Sequence, residues 1–467
     1  MKTTLYKIPA SEIPVLLKQL GTAHYWRPSS STLLYWNGRW QQTEIEVGDD
    51  PLSTLPHLPL TGTVVINGIL DNGISSKVMH QIIDAHFQAV DQHWVIVFVR
   101  GDIPPDLAPF VQIKTWPLPN ATEIARLLLE HNLYNECLLR SCMGLYEQEL
   151  KMLLSCEDPL HEISDYKRRK LQSRGIQHIP EPDCDAVGCD NIINLIDQVG
   201  RLLTPEAEAA GLPFPKGMIL LGIPGSGKSL AAKTAAKRLG VPLICADWGG
   251  LISSEPGQSE ENVKTLLQTA EAIAPCILFF DDFDKAFASA DLSQENSAEK
   301  RIAGYLLTWL QERTAKVFCI VTCNRIAQLP PELKRRFDWH VNVDLPHEGS
   351  RYEIFQIHLK KYCEAVPQWN VYEWKKLISA YNESTPDEIG KAIHKAAIAA
   401  FERGEPRNIT VEDLLEQRRQ FTPANLANPE QIESIRLHSR HAMPAASPDK
   451  SEFRVEPVEV FSRILGQ

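Results

Sequence analysis

Continuous apolar runs bounded by polar turns recur along the chain, and between them lie longer stretches whose apolar residues return at helical spacing. Met218-Ile-Leu-Leu221, Cys276-Ile-Leu-Phe-Phe280 and Val317-Phe-Cys-Ile-Val-Thr-Cys323 have almost no polar interruption, the pattern of strands buried on both faces of a parallel sheet. Leu230 to Leu239 is alanine-rich and favours a helix. Glu348 to Lys361 and Asp387 to Ala397 place apolar residues at helical spacing and predict a small helical lid behind the strands. Alternation of such strands and helices predicts an α/β class, a parallel sheet flanked by helices.

Composition narrows the class without naming a function. With 467 residues, 43% hydrophobic and 23% charged, the chain is long enough for several domains and unlike collagen-like, disordered or disulfide-scaffold sequences. A net charge of −11 repels phosphate backbones, so no nucleic-acid partner is expected. The first residues lack an apolar signal region and no run is long enough to span a bilayer, so a cytoplasmic protein without a membrane span is expected. Ten cysteines in such a chain read as free thiols. The pairs Cys137/Cys142, Cys184/Cys189 and Cys319/Cys323 lack the two-residue spacing of a zinc knuckle.

The candidate chemistry is concentrated between residues 218 and 338. Gly222-Ile-Pro-Gly-Ser-Gly227-Lys228-Ser229 matches G-x-x-x-x-G-K-[ST] in full, between a predicted strand and a predicted helix. In that context backbone N–H groups converge on phosphate oxygens and the helix dipole favours the anion. Lys228 then reaches the β- and γ-phosphates and Ser229 ligates Mg²⁺. Downstream, Asp281 and Asp282 follow the apolar run ending at Phe280, where a parallel sheet presents groups to a ligand. Asp281 is placed to hold the Mg²⁺ shell, and Asp282 to polarise an attacking water. Asn324 closes the next run and can hydrogen-bond a γ-phosphate or that water, although a plain turn asparagine fits the local pattern equally. Arg335 and Arg336 stand before Phe337-Asp338; alone, two arginines at a helix end satisfy a helix dipole.

Taken in order, these motifs resemble Walker A, Walker B, sensor 1 and the arginine finger of the AAA ATPases, over about Asp185 to Arg419. The flanks, Ala186-Val-Gly-Cys189 and Ala207 to Gly217, sharpen the resemblance to the stand-alone AAA proteins of the hypothetical chloroplast reading-frame family. The resemblance implies ATP and Mg²⁺ as cofactors, held by Gly222, Ile223, Pro224, Gly225, Ser226, Gly227, Lys228, Ser229 and Leu230, with Val187 and Gly188 near the adenine. It implies that Arg336, or else Arg335, reaches a neighbouring subunit's ATP, hence a homo-oligomeric ring, usually a hexamer. The chain departs from the family in ending Walker B with Asp282 where Glu is usual, which implies slow turnover. Aligning Gly257-Gln-Ser-Glu260 puts Glu255 and Pro256 where relatives carry a pore aromatic, with Trp248 too far upstream to replace it. Asp387 falls at the approximate sensor 2 place, and Lys391 reads either as a phosphate contact or, more in keeping with its helix, as an exposed lysine.

The N-terminal half repeats part of this design. Trp94-Val-Ile-Val-Phe98, then Pro104-Pro-Asp-Leu107 and Leu118-Pro119, parallel Val317 to Asn324, Pro330-Pro-Glu-Leu333 and Leu345-Pro346. Val64 to Asp71 falls where the second copy has Ile277 to Asp284. The first copy has no phosphate loop, acid pair or Arg-Phe-Asp, and reads as a degenerate AAA-like α/β domain. The expected organisation is that domain over 1–120, its small helical lid over 121–155, a basic linker over 156–183, the ATP-binding subdomain over 184–347, its helical lid over 348–420, and a C-terminal extension over 421–467. The function read from this is an ATPase ring that remodels a protein partner; the alternative is a nucleotide-gated assembly scaffold with little turnover.

Overall fold

The computed structural model describes residues 3–28, 30–70, 74–88, 91–98, 103–172, 184–246, 258–287 and 298–454. The chain divides into two units, Met1–Pro119 with Leu145–Glu157, and Asn120–Gly144 with Asp158–Gln467.

In the first unit the strands are β1 (Thr3–Lys7), β2 (Ala23–Trp26), β3 (Thr32–Trp36), β4 (Trp40–Glu46), β5 (Gly62–Asn67), β6 (Gln92–Phe98) and β7 (Gln112–Thr115). They form one sheet in the order β4-β3-β2-β5-β6-β1-β7. The strands from β2 to β7 in that order pair in parallel, and β3 and β4 add an antiparallel hairpin at one edge. Side chains alternate between two cores, as period-2 geometry requires. Val64, Ile66, Trp94, Ile96 and Phe98 enter one, while Val65, Val95 and Val97 enter the other beside Leu16 and Leu17.

In the second unit the strands are β8 (Gly217–Gly222), β9 (Leu243–Ala246), β10 (Cys276–Phe280), β11 (Val317–Cys323), β12 (Trp339–Val343) and β13 (Met443–Pro444). All pair in parallel, in the order β13-β12-β8-β11-β10-β9. Every residue of β8, β10 and β11 is buried, the reason these strands read as unbroken apolar runs. Strand for strand, β7-β1-β6-β5-β2 repeats the succession β12-β8-β11-β10-β9. The correspondence of Trp94–Phe98 with Val317–Cys323 is thus the correspondence of β6 with β11.

The lid consists of helices Glu348–Tyr362, Val371–Ala380, Pro386–Glu402 and Val411–Arg419 around Phe355, Trp374, Tyr381, Ile389 and Ile393. Three of these begin with reciprocal caps, Asn370 with Glu373, Thr385 with Glu388, and Thr410 with Asp413.

One boundary differs from expectation. Helices Ala121–Glu130 and Glu136–Cys142 group with the second unit, and only Glu147–Leu154 with the first. The reason is hydrogen bonding: Arg140 Nε donates to Leu239 O at 3.1 Å, Ser141 Oγ to Gly240 O at 2.9 Å, and the Ala121 amide to Glu208 at 3.1 Å. The extension after residue 420 is a strap woven into the second unit. Ala445 N donates to Asn342 O at 2.9 Å, Asn191 N to Ala445 O at 3.0 Å, and Gly349 N to Asp449 at 3.1 Å; Phe453 then enters the lid core 4.6 Å from the Tyr352 ring. Among the described residues, no helix is long and apolar enough to cross a membrane. Most of the basic stretch up to Arg174 lies in helix Pro159–Gln172; Pro180 and Pro182, like Asp71, lie outside the described residues.

Candidate functional site

The loop between β8 and helix Lys228–Leu239 is shaped by close approach and by backbone sign. Gly222 pairs with Val343 of β12, and a Cβ on it would meet Val343 O at 2.1 Å, so only glycine lets the strands meet there. Gly227, with φ 97°, is left-handed at the helix N-cap, where a side chain would be strained. Lys228 is 7% exposed and its Nζ donates to Gly222 O at 3.0 Å and Ile223 O at 2.9 Å. Burial pushes its pKa down to about 8, against the pull of Asp281, Asp282 and Asp284. Ser229 Oγ lies 3.0 and 3.2 Å from the two oxygens of Asp281.

The acids sit at the C-terminal end of β10 and are tied to β11. Thr322, fully buried, donates from Oγ1 to Asp281 Oδ1 at 2.6 Å and accepts the Asp282 amide at 2.8 Å. Asp282 has φ 48°, the left-handed region. Its Oδ1 accepts from Asn324 Nδ2 at 3.0 Å and its Oδ2 pairs with Lys285 at 2.6 Å. Asp284, 4% exposed, accepts the backbone amides of Asn324 at 3.3 Å and Arg325 at 3.0 Å, which fixes the turn carrying Asn324. Lys228, Ser229, Asp281, Asp282 and Asn324 therefore form one cluster.

Val187 borders a cleft with Gly227, Leu230, Ile354 and His358, and with Gly188 it also lines a neighbouring one beside Ser226 and Asp344. A Cβ on Gly188 would lie 2.9 Å from Ser350 Oγ, so the first turn of the lid comes directly onto this segment. His358 rests its ring where a Cβ on Gly390 would stand, at 2.7 Å, and burial lowers its pKa below the ordinary imidazole value. On the other lid helix, Thr385 Oγ1 is 3.3 Å from the Cβ position of Gly225. Asp387 and Lys391 pair with each other at 2.6 Å on an exposed face.

The arginines stand apart from the cluster. Arg336 Nη2 donates to Gln311 at 2.7 Å and Arg335 is exposed; among the described residues neither bonds to the loop or the acids. Phe337 packs against Phe283, and Asp338 accepts the Gly217 amide at 2.9 Å, so this end of the motif holds β8 in place. Trp248, Glu255, Pro256 and Gly257 lie outside the described residues.

The residues present fit a nucleotide and a divalent cation. Ser226 Oγ and Asn324 Oδ1 are buried polar atoms without a partner among the described residues, one in the loop and one on the amide whose Nδ2 bonds Asp282. The Ser229 hydroxyl and Asp281 carboxylate are the hard oxygen donors that Mg²⁺ takes. Sequence reasoning missed Thr322, Asp284, Lys285 and His358. Asp284 and Lys285 lie two and three residues after Asp282, beyond Phe283, and Thr322 is the polar residue in an otherwise apolar strand; His358 carried no signal beyond helical spacing.

Known proteins bear on this geometry. The model of a family described as ATPase family associated with various cellular activities (AAA) matches residues 218–345. An AAA domain-containing protein ycf46 of Guillardia theta is 32% identical over 377 residues, 74% of this chain and 72% of that protein. Its counterpart in Pyropia yezoensis is 30% identical over 367 residues, 74% of each chain. The ribosome biogenesis ATPase RIX7 of Saccharomyces cerevisiae is 31% identical over 224 residues, 46% of this chain and 26% of that one.

Proposed function

For a chain that belongs to the ycf46 AAA domain-containing proteins, an AAA ATPase family, we propose that the second unit is a slow, Mg²⁺-dependent ATP hydrolase working in a homo-oligomeric ring, usually of six, to remodel a protein partner. The observation that carries this reading is the cluster of Lys228, Ser229, Asp281, Asp282 and Asn324, drawn from three parallel strands to one edge of the sheet.

The loop amides and Lys228 bind the phosphates, the lysine leaving its carbonyl partners for a γ-phosphate whose negative charge favours its charged form. Ser229 and Asp281 would hold Mg²⁺, which supplies charge neutralisation at the β- and γ-oxygens. Asp282 accepts a proton from the attacking water, oriented by Asn324. Its carboxylate is one methylene shorter than the usual glutamate, and a displacement of about 1 Å can slow such a step on the order of 10²-fold. Val187, Leu230 and His358, with Gly188 in the adjoining cleft, flank the base. Arg336, or Arg335, completes a neighbour's site; their distance from their own chain's acids supports this, and related fingers contribute roughly 10³ to 10⁵ in turnover.

A nucleotide-gated scaffold is the second reading, favoured by the double engagement of Asp282 by Asn324 and Lys285, which occupies both of its carboxylate oxygens. Phosphate release by wild type, Lys228→Ala and Asp282→Glu, across a protein concentration series with mass measured in parallel, separates the two. Activity that climbs with oligomer, vanishes in Lys228→Ala and rises in Asp282→Glu supports the motor. Tight binding and assembly with no detectable turnover sinks it in favour of the scaffold.

A further inference from the structure

The geometry points to Thr322 as a positioning residue for both acids, setting the cation requirement of the site; this rests on the ATPase reading above. Thr322 interrupts a strand whose other members, Val317, Phe318, Cys319, Ile320, Val321 and Cys323, are apolar and buried. A hydroxyl placed there is unfavourable unless bonded, and valine would fill the same volume. The hydroxyl is fully used. Its single proton goes to Asp281 Oδ1 at 2.6 Å, and a lone pair takes the Asp282 N–H at 2.8 Å, so the two bonds do not compete.

Each bond has a separate consequence. A carboxylate turns easily about its last bond, and the proton from Thr322 selects one orientation of Asp281, the one that faces Ser229 Oγ at 3.0 Å. The second bond helps hold the backbone of Asp282 at φ 48°, a left-handed conformation uncommon outside glycine but one that aspartate adopts more readily than most residues. That turn delivers the Asp282 carboxylate to Asn324 at 3.0 Å and Lys285 at 2.6 Å. One hydroxyl thus sets the direction of the cation ligand and the place of the neighbouring acid, acting through them and touching neither cation nor phosphate.

The test uses the full chain and a fluorescent ATP analogue, titrated in EDTA and then against Mg²⁺, with Thr322→Val, Thr322→Ala, Thr322→Ser and Lys228→Ala. In EDTA, the three Thr322 variants should bind like wild type. In the Mg²⁺ titration, Thr322→Val and Thr322→Ala should need roughly 10- to 100-fold more cation for half-maximal effect, as loss of an outer-shell partner does. Thr322→Ser should return to the wild-type requirement. An unchanged Mg²⁺ requirement in both hydroxyl-free variants overturns the proposal. So does an equal loss of binding with and without Mg²⁺, or misfolding of both by circular dichroism, since each assigns the hydroxyl to general stability. Failure of the wild type itself to bind the analogue in either condition, matching Lys228→Ala, removes the ATPase reading and this proposal with it.

Discussion

The two units share a succession of five parallel strands and differ in the turn that leaves the first strand of each. After β8 the chain reads Ile223-Pro-Gly-Ser-Gly-Lys228; after β1 it reads Ile8-Pro-Ala-Ser-Glu-Ile13. The Ile-Pro start survives, but the first unit puts Ala10 and Glu12 at the places of Gly225 and Gly227, and Ile13 at the place of Lys228. Ala10–Glu12 is a single 3-10 turn, Ile13 is buried in the core, and Glu12 is fully buried with its Oε1 accepting the Gln148 amide at 2.8 Å. Where one loop offers donors and a cation to phosphate, the other offers a carboxylate that has already taken a helix amide for itself. Beyond β5, Gly68 and Ile69 stand where β10 is followed by Asp281 and Asp282. Strands buried on both faces preserve the architecture, while the chemistry depends on a handful of residues at strand ends and is lost without disturbing the sheet.

The largest effect that would sharpen this contrast is Lys228→Ala, expected to lower turnover on the order of 10²- to 10³-fold while leaving the first unit untouched; phosphate release measures it. Moving the first unit's acid into the second, Gly227→Glu, should abolish binding of a fluorescent ATP analogue by setting a carboxylate against phosphate and adding about 1–2 kcal/mol of left-handed backbone strain. The reverse change, Glu12→Gly, should add no second nucleotide site to the chain, because Ile13 supplies no ammonium; a stoichiometry rising from one to two nucleotides per chain would break the comparison.

A milder effect comes from the pKa of Lys228, about 8 without phosphate. Only the charged form attracts the anion, so ATP affinity should hold below pH 8 and decline above it, by up to tenfold per unit, and Lys228→Arg should flatten the decline. Isothermal titration across pH 7–9.5 reads this directly.

The smallest effect concerns Glu12. Burial, with Glu147 and Glu149 adding to it and the Gln148 amide opposing, raises its pKa above the ordinary carboxylate value. The folded chain then holds the proton more tightly than the unfolded one. Its stability contribution is greatest below the ordinary glutamate pKa and falls as pH rises through the raised value. Thermal unfolding against pH should show that fall in wild type and lose it in Glu12→Gln.

Much of the second unit was legible because its signals are local. The loop, the acids after β10 and Asn324 after β11 each announce themselves within a few residues, and their strands are plain apolar runs. The residues that escaped join distant positions. Thr322 meets Asp281 across 41 residues, and the strap's Asp449 meets Gly349 across 100. The segment 121–155 reads as one helical stretch, and no local pattern says that Arg140 and Ser141 bind one unit while Glu147–Leu154 belongs to the other. The loop at Ile8 to Ile13 escaped because the repeat was visible only from β5 onward, where apolar runs and prolines align; without glycines or lysine, it looks like any turn.

The strap has a consequence in time. The sheet of the second unit receives β13 only after the whole lid, and Phe453 closes the lid core later still. At about 5–20 residues per second of synthesis, the roughly hundred residues from β12 to β13 take on the order of 5–20 s. Through that interval a nascent chain carries the complete phosphate loop and both acids on a sheet whose edge is still open. Ribosome pausing or truncation between residues 344 and 442 would leave that edge uncovered, making the strap a marker by which a finished ATPase differs from an interrupted one.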